Sequence, residues 1–396
     1  MSIEGFIERA SEAISEMRRS GEEKILLVHH DDADGLSSAA TVKAAVEREG
    51  YHVKLLCLEK VYPEVILSIH RDWDGIIIYA DIGSAHGDLI SRFNRGRNLT
   101  IILDHHNPRA PEDPKIYDLN LENHGFKGEE DFSGATVCYL FSKVMNERNR
   151  DLSYLALVGS QEIPSGIKGL NRLVLEEALR DGLVKVEGRR VRIVRLGVTV
   201  KSLFSKLQIL GPVGYYEGGP DVGVKACLEG LTEETERMIA DLEARRKAAN
   251  RRLIARLYRE RLRESAHIQW FDAGSLYHGM GSKVIGQFCS FLSYQKRLIK
   301  PDKYIIGMMN LQNIVPGWGR LEGNFVKASV RAPGRLRTLI KEGKAMSTVN
   351  LLVKASEEFG VADGHEYAAS VVVPTEKKET LIKNAEAVLE TFKAGS

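Results

Sequence analysis

Residues 24–35 read Lys24-Ile25-Leu26-Leu27-Val28-His29-His30-Asp31-Asp32-Ala33-Asp34-Gly35. A short apolar run that stops abruptly at polar, turn-forming residues is the pattern of a buried strand. This strand ends in imidazoles and carboxylates. The same arrangement recurs twice. Gly75-Ile76-Ile77-Ile78-Tyr79-Ala80 runs into Asp81-Ile82-Gly83, and Thr100-Ile101-Ile102-Leu103 runs into Asp104-His105-His106. Parallel strands of an open α/β sheet deliver their carboxyl ends to one crevice. Carboxylates crowded there repel one another unless a cation lies between them. Mixed carboxylate and imidazole donors suit a divalent transition metal such as Mn, Fe or Zn.

The surrounding chain supports that sheet. Leu36-Ser37-Ser38-Ala39-Ala40 opens a helix running to about Glu49, and His52–Cys57 reads as a second strand. Ser133-Gly134-Ala135-Thr136 starts another helix, and 152–158 reads as one more. Strands alternating with helices predict a doubly wound, mainly parallel α/β sheet over 1–182. Leu183–Glu187 and Arg190–Val194 predict a hairpin turning at Gly188-Arg189. Pro212, Gly214, Gly218, Gly219, Pro220 and Gly223 then suggest an irregular connector, so 183–230 reads as an inserted segment. Thr232 is placed to N-cap a long basic linker helix over 231–264, with Glu233, Glu234 and Glu236 where the helix dipole favours acids. A smaller α/β domain is expected over 265–396, with the active-site cleft between the two domains.

Composition bounds the function classes. With 396 residues, 43% hydrophobic and 28% charged, the chain is long enough for two globular domains. A net charge of +2 means that nucleic-acid affinity must come from local patches. Cys57, Cys138, Cys227 and Cys289 lack metal-knuckle spacing and read as reduced core residues of a cytoplasmic protein. No apolar run is long enough to span a bilayer, and the amphipathic start (Phe6, Ala10, Ile14, Met17) does not read as a signal peptide.

Within the clusters, Asp32 and Asp34 alternate toward one side of a turn that Gly35 tightens. With His30 they can hold one ion and begin a second. Asp81 and Asp104 arrive from other strands, and His105 or His106 adds imidazole. Such a set can support two divalent ions roughly 3.5–4 Å apart, the spacing of two-metal hydrolases. Any one cluster alone reads as an ordinary turn; their joint occurrence at strand ends carries the argument. His29 reads equally as a packing residue.

These motifs resemble the DHH phosphoesterase superfamily, named for the Asp-His-His found here at 104–106. The first motif is matched by His30-Asp31-Asp32-Ala33-Asp34-Gly35 and the second by Asp81. The resemblance implies that His30, Asp32, Asp34, Asp81 and His105 ligate metal, usually two Mn²⁺ ions, with Mg²⁺ or Co²⁺ as substitutes. It implies that His106 faces the substrate phosphate and that Asp104 completes or orients the cluster, making Asp104, His105 and His106 the catalytic set. The fourth motif departs: Ile163 stands where the family carries an aspartate, and Glu162 is the nearest acid able to complete the metal shell. Phe325–Arg331 and Val361–Ala369 resemble the accompanying DHHA1 domain. That likeness implies substrate binding by Arg331, Gly364 and His365, with Lys327 on the same strand face as Arg331. Gly364-His365 is read as preceding a helix start.

Length, first motif and basic linker resemble the archaeal RecJ-like branch. The expected activity is that of an exonuclease on single-stranded DNA or RNA, in repair or replication, with a helicase or replisome component as partner. Trp270, Phe271, Tyr277, Trp318 and Phe325 are either base-stacking or core aromatics. Two alternatives remain open: a phosphoesterase for short oligonucleotides, cyclic dinucleotides or nucleotide bisphosphates, and a catalytically weakened scaffold protein.

Overall fold

A computed structural model describes residues 3–128 and 130–394. In chain order the elements begin with α1 (Ile3–Ser20), β1 (Lys24–His30), α2 (Ala33–Arg48), β2 (His52–Leu58), α3 (Pro63–Asp72), β3 (Ile76–Ala80), α4 (Gly87–Asn94), β4 (Thr100–Leu103) and β5 (Ile116–Asp118). Next come α5 (Gly134–Met145), α6 (Ser153–Gly159), α7 (Gly169–Arg180), β6 (Val184–Glu187), β7 (Arg190–Ile193), β8 (Val198–Thr199), α8 (Val200–Val213) and α9 (Gly219–Glu229). After α10 (Glu233–Glu260) follow β9 (Arg263–Glu264), β10 (Ile268–Asp272), α11 (Lys283–Leu292), β11 (Tyr304–Asn310), β12 (Ile314–Val315), β13 (Gly319–Arg320) and β14 (Phe325–Arg331). The chain continues with α12 (Gly334–Lys341), α13 (Thr348–Ser356), β15 (Val361–Gly364), β16 (Ala368–Pro374) and α14 (Lys378–Ala394). Two compact units result, the first running to Ala240 and including Pro316–Trp318, the second built from Asp241–Val315 and the residues from Gly319 onward.

The first unit is organised by a five-stranded sheet of order β2-β1-β3-β4-β5, parallel throughout. Ile25, Leu27, Val28, Ile76–Ala80 and Ile101–Leu103 are buried, which is why these strands read as unbroken apolar runs. α2 packs with α5, α6, α8 and α9, whereas α3 packs with α4, giving two helical layers. Chain order reverses between β1 and β3. That is a topological switch point, where an open α/β sheet leaves a crevice beyond its strand ends.

The connector expected over 212–223 is helical instead. Gly211 and Gly223 are contact residues rather than turn formers: a Cβ on Gly211 would meet the Asp31 carbonyl oxygen at 1.7 Å, and one on Gly223 would meet Leu36 Cδ1 at 2.7 Å. Pro220 sits in the first turn of α9, where its missing N–H costs no helical hydrogen bond. The expected hairpin is present as β6–β7, and Thr232 Oγ1 accepts from Thr235 N at the start of α10.

The second unit has a six-stranded mixed sheet, β15-β16-β14-β11-β10-β9, in which only β10–β11 is parallel. α11 packs on β11 and β14. Leu336, Ile340, Leu351, Leu352, Leu381, Ala385 and Leu389 from α12, α13 and α14 form the core with Val326, Val330, Val371 and Val373. No helix begins after Gly364-His365. The chain turns into β16, whose Ala368-Ala369-Ser370-Val371-Val372-Val373 run is too rich in branched residues for a helix start. Phe271 and Tyr277 are buried core aromatics, whereas Trp270 and Phe325 are half-buried. The four cysteines are free and buried. Among the described residues no helix is long and apolar enough to cross a membrane.

One buried network in the first unit makes stability depend on pH. The two ring nitrogens of His70 bond Asn94 Oδ1 and Tyr79 Oη, each at 2.9 Å. Burial disfavours the imidazolium and lowers His70 from 6.5 to about 4, against the opposing Asn94 bond. A folded-state value below the unfolded one gives stability that is complete above pH 6.5 and lost as pH falls toward 4. The loss should be about 3 kcal/mol. Thermal melts from pH 7 to 4 should show a steeper decline for the native chain than for His70→Gln.

Candidate metal centre

The acid and histidine clusters do converge at the switch point. His30 ends β1, Asp32 and Asp34 follow it, Asp81 follows β3, and Asp104 follows β4. All but His106 are buried. Asp32 caps α2, its Oδ1 accepting from Gly35 N at 2.9 Å. Gly35 is required by close approach, since a Cβ there would lie 2.4 Å from the His30 carbonyl oxygen.

Two groups of potential ligands form, His30, Asp32 and Asp81, and Asp81, Asp104, His105 and His106. They share Asp81. Its Oδ2 lies 3.7 Å from His30 Nδ1 and its Oδ1 lies 3.4 Å from His105 Nε2. Asp32 Oδ2 stands 3.5 Å from His30 Nδ1, and Asp34 Oδ2 stands 3.8 Å from His105 Nε2. Nitrogen–oxygen hydrogen bonds are shorter, at about 2.7–3.2 Å. Two donors each about 2.1 Å from a common ion, at right to tetrahedral angles, stand roughly 3.0–3.4 Å apart. The separations here are near that spacing. With buried carboxylates and imidazoles as donors, the residues fit divalent metal, and Asp81 offers one oxygen to each group.

The backbone at Asp81 is shaped for this task. Its φ of 61° lies in the left-handed region, uncommon for a residue with a side chain. Gly134 lies directly against the carboxylate, where a Cβ would meet Asp81 Oδ1 at 2.1 Å. Gly159 plays the same part for Asp34, with 2.2 Å from a Cβ to Oδ1. Asp34 is further held by the start of α5, where Gly134 N donates to Oδ2 at 2.9 Å and Ala135 N to Oδ1 at 2.8 Å. A helix N-terminus suits an anion. Even so, burial and the neighbouring Asp32 charge push the Asp34 carboxyl up, more than these N–H groups lower it. Such a cluster carries excess negative charge that a cation would relieve.

Asp104 is differently placed. Its Oδ1 accepts from His106 Nδ1 and His105 N, both at 2.7 Å, and Oδ2 accepts from Ser84 N at 2.9 Å. Burial would raise its pKa, but the two histidines and the Ser84 amide more than offset this and hold it below the usual range. Asn120 Nδ2 donates to the His106 carbonyl at 2.7 Å. The half-exposed His106 ring is thus held through Nδ1, and the residue's backbone through its carbonyl. His29 Nδ1 donates to the His30 carbonyl oxygen at 2.8 Å, and burial lowers its pKa.

Glu162 is not brought into the cluster. It is exposed and its carboxylate accepts a hydrogen bond from Gln208 Nε2, while the adjacent Ile163 is buried. The turn after α6 directs the apolar side chain inward and the acid outward, so Glu162 does not take the place expected for it.

In the second unit, Lys327 and Arg331 lie on β14 with side chains toward α11. Lys327 Nζ is 3.3 Å from Ser282 Oγ, and Arg331 Nε donates to Ser290 Oγ at 2.8 Å. Burial lowers the Arg331 pKa. Arg331 pairs with Ala368 on β16, and the next residue, Ala369, pairs with Gly364 on β15, so Arg331 and Gly364-His365 share one end of the sheet. Lys327 sits four residues back along β14, roughly 13 Å away at strand rise.

Residues 24–160 match the sequence profile described as "DHH family, N-terminal domain". An uncharacterized protein of Methanocaldococcus jannaschii is 30% identical over 190 residues, 46% of this chain and 42% of the relative. The chain therefore matches less than half of that curated relative's length. Among solved structures, RecJ from Thermus thermophilus in complex with Mn²⁺ superposes with a TM-score of 0.64 at 17% identity, covering 98% of this chain and 55% of that one. An exonuclease RecJ bound to manganese gives 0.62 at 18% identity, covering 98% and 94%. Identity at that level speaks to fold. The matched profile covers residues 24–160, where the Asp-His-His and first-motif residues gather at one switch point, so this part of the chain is a DHH-family N-terminal domain, and the chain as a whole has a RecJ-like fold.

Proposed function

We propose that the protein is a divalent-metal-dependent phosphodiester hydrolase, a RecJ-like exonuclease that trims single-stranded DNA or RNA in replication or repair. The observation that carries this reading is Asp81, whose two oxygens face two separate sets of imidazole and carboxylate donors. His30, Asp32 and Asp34 with Asp81 and His105 would hold Mn²⁺ or a substitute. Bound there, such ions supply an activated water and neutralise charge on phosphoryl oxygens. The chain's own residues do the rest. Asp104 fixes the His106 ring through Nδ1, so that the half-exposed imidazole can approach the substrate phosphate. Arg331, Lys327 and the Gly364-His365 turn are the substrate-binding set of the second unit. The exposed Arg251, Arg252 and Arg259 of α10 supply local positive charge for a nucleic-acid backbone.

A length series of end-labelled single-stranded oligonucleotides in Mn²⁺ tests the reading. Stepwise shortening of long strands is expected, with Asp104→Ala lower by about 100-fold because His106 loses its orientation. Cleavage restricted to dinucleotides and trinucleotides would point instead to a short-oligonucleotide phosphoesterase. Equal traces from both proteins would favour a non-catalytic scaffold.

A further inference from the structure

The second unit holds a cavity of about 450 Å³ that none of the roles above uses. It lies where the β12–β13 hairpin and the loop leading into β14 face the start of the 278–282 loop. A volume of that size suits a small organic ligand. Its wall carries the carboxamides of Asn310, Gln312, Asn313 and Asn324, with His278, the half-buried Phe325 and, at the exposed rim, Arg320. Among the described residues no carboxylate lines it.

Part of this wall is braced. Asn310 Oδ1 accepts from Lys378 Nζ at 3.0 Å and its Nδ2 donates to Ser275 Oγ at 3.3 Å. Asn313 Oδ1 accepts from Arg320 at 3.3 Å. Asn324 is anchored through its carbonyl, which accepts from Thr375 N at 2.9 Å. Gln312 is not braced in this way: among the described residues its buried Nε2 has no hydrogen-bond partner. An amide donor removed from water and left unmatched costs free energy, so this side chain is poorly satisfied where it stands.

We propose that this cavity binds a nucleobase of the single-stranded substrate, with Gln312 and Asn324 reading its edge, Phe325 against its face and Arg320 toward the attached phosphate. A carboxamide carries a donor and an acceptor side by side, which is the match for a base edge. An aromatic ring adds stacking, and the absence of carboxylates admits an anionic nucleotide. The ligand class rests on the phosphodiester reading above; the site itself does not involve the metal cluster's residues.

The test is calorimetric titration of AMP into the full chain in EDTA, where hydrolysis plays no part. The double variant Gln312→Leu with Asn324→Leu should bind AMP more weakly by about tenfold or more, and Arg320→Ala should weaken AMP but not adenosine. Gln312→Leu alone should melt at the same or a higher temperature, since it removes a buried unmatched donor, whereas a merely structural role would lower it. Asp81→Asn should leave AMP binding unchanged, so loss of hydrolysis and loss of this site are read separately. Equal AMP affinity in the native and double-variant chains, or ribose 5-phosphate binding as tightly as AMP, would overturn the proposal, as would no AMP binding at all.

Discussion

Asp81→Asn should abolish phosphoester hydrolysis while leaving the fold in place. The expected loss is at least about a thousandfold, the scale of several kcal/mol of transition-state charge stabilisation. Asparagine keeps the shape and tolerates the left-handed backbone that residue 81 adopts, so the substitution removes charge and little else. The buried cluster would also lose one of its mutually repelling carboxylates. In EDTA the variant should therefore melt at or above the native temperature. In Mn²⁺ the order should invert, because the native chain gains ligand-linked stability and the variant gains less. Hydrolysis of a chromogenic phosphodiester and paired thermal melts check both statements. A variant that keeps more than a tenth of native activity would remove Asp81 from the bridging role.

The second large effect is expected at two glycines. Gly134→Ala would set a methyl group 2.1 Å from Asp81 Oδ1, 2.7 Å from Cγ and 2.8 Å from Cβ of the same residue, so the whole short side chain must move. Gly159→Ala does the same to Asp34, with Ala135 Cβ also only 2.5 Å away. Each variant should lose about 100-fold or more in activity, comparable to disturbing the support of a metal ligand. Each should lose about 1–3 kcal/mol of stability from overpacking. Gly334→Ala, in α12 with nothing near its Cβ position, should be silent in both assays. If Gly134→Ala matched Gly334→Ala in activity, the close fit between α5 and Asp81 would not matter to function.

Those glycines also show what could be read in the chain and what could not. The parallel sheet was legible because burial on both faces leaves unbroken apolar runs, and the acids at their ends stood out against them. The gathering of His30, Asp32, Asp34, Asp81, Asp104, His105 and His106 at neighbouring strand ends was legible for the same reason. Ser133-Gly134-Ala135-Thr136 was recognisable as a helix start, but not as the seat of Asp34, which lies 100 residues away in the chain. Only the fold brings them together. Glycine and proline over 212–223 misled for a related reason. Locally they mark turns, yet Gly223 serves a contact to Leu36 across the unit. Glu162 failed because sequence proximity cannot say which of two neighbours, 162 or 163, faces inward. Of the cavity's wall only Phe325 stood out in the sequence, as a stacking or core aromatic; the Gln312 donor did not, since carboxamides scattered over loops look like ordinary surface.

Anomalous scattering from Mn²⁺-soaked crystals of the native chain tests most directly whether Asp81 would serve both donor sets as a metal ligand. Two peaks are predicted, one within bonding distance of Asp81 Oδ2 on the His30 side, the other of Asp81 Oδ1 on the His105 side. A map with no peak bonded to Asp81, or with a single ion bound by only one of the two donor sets, would contradict it.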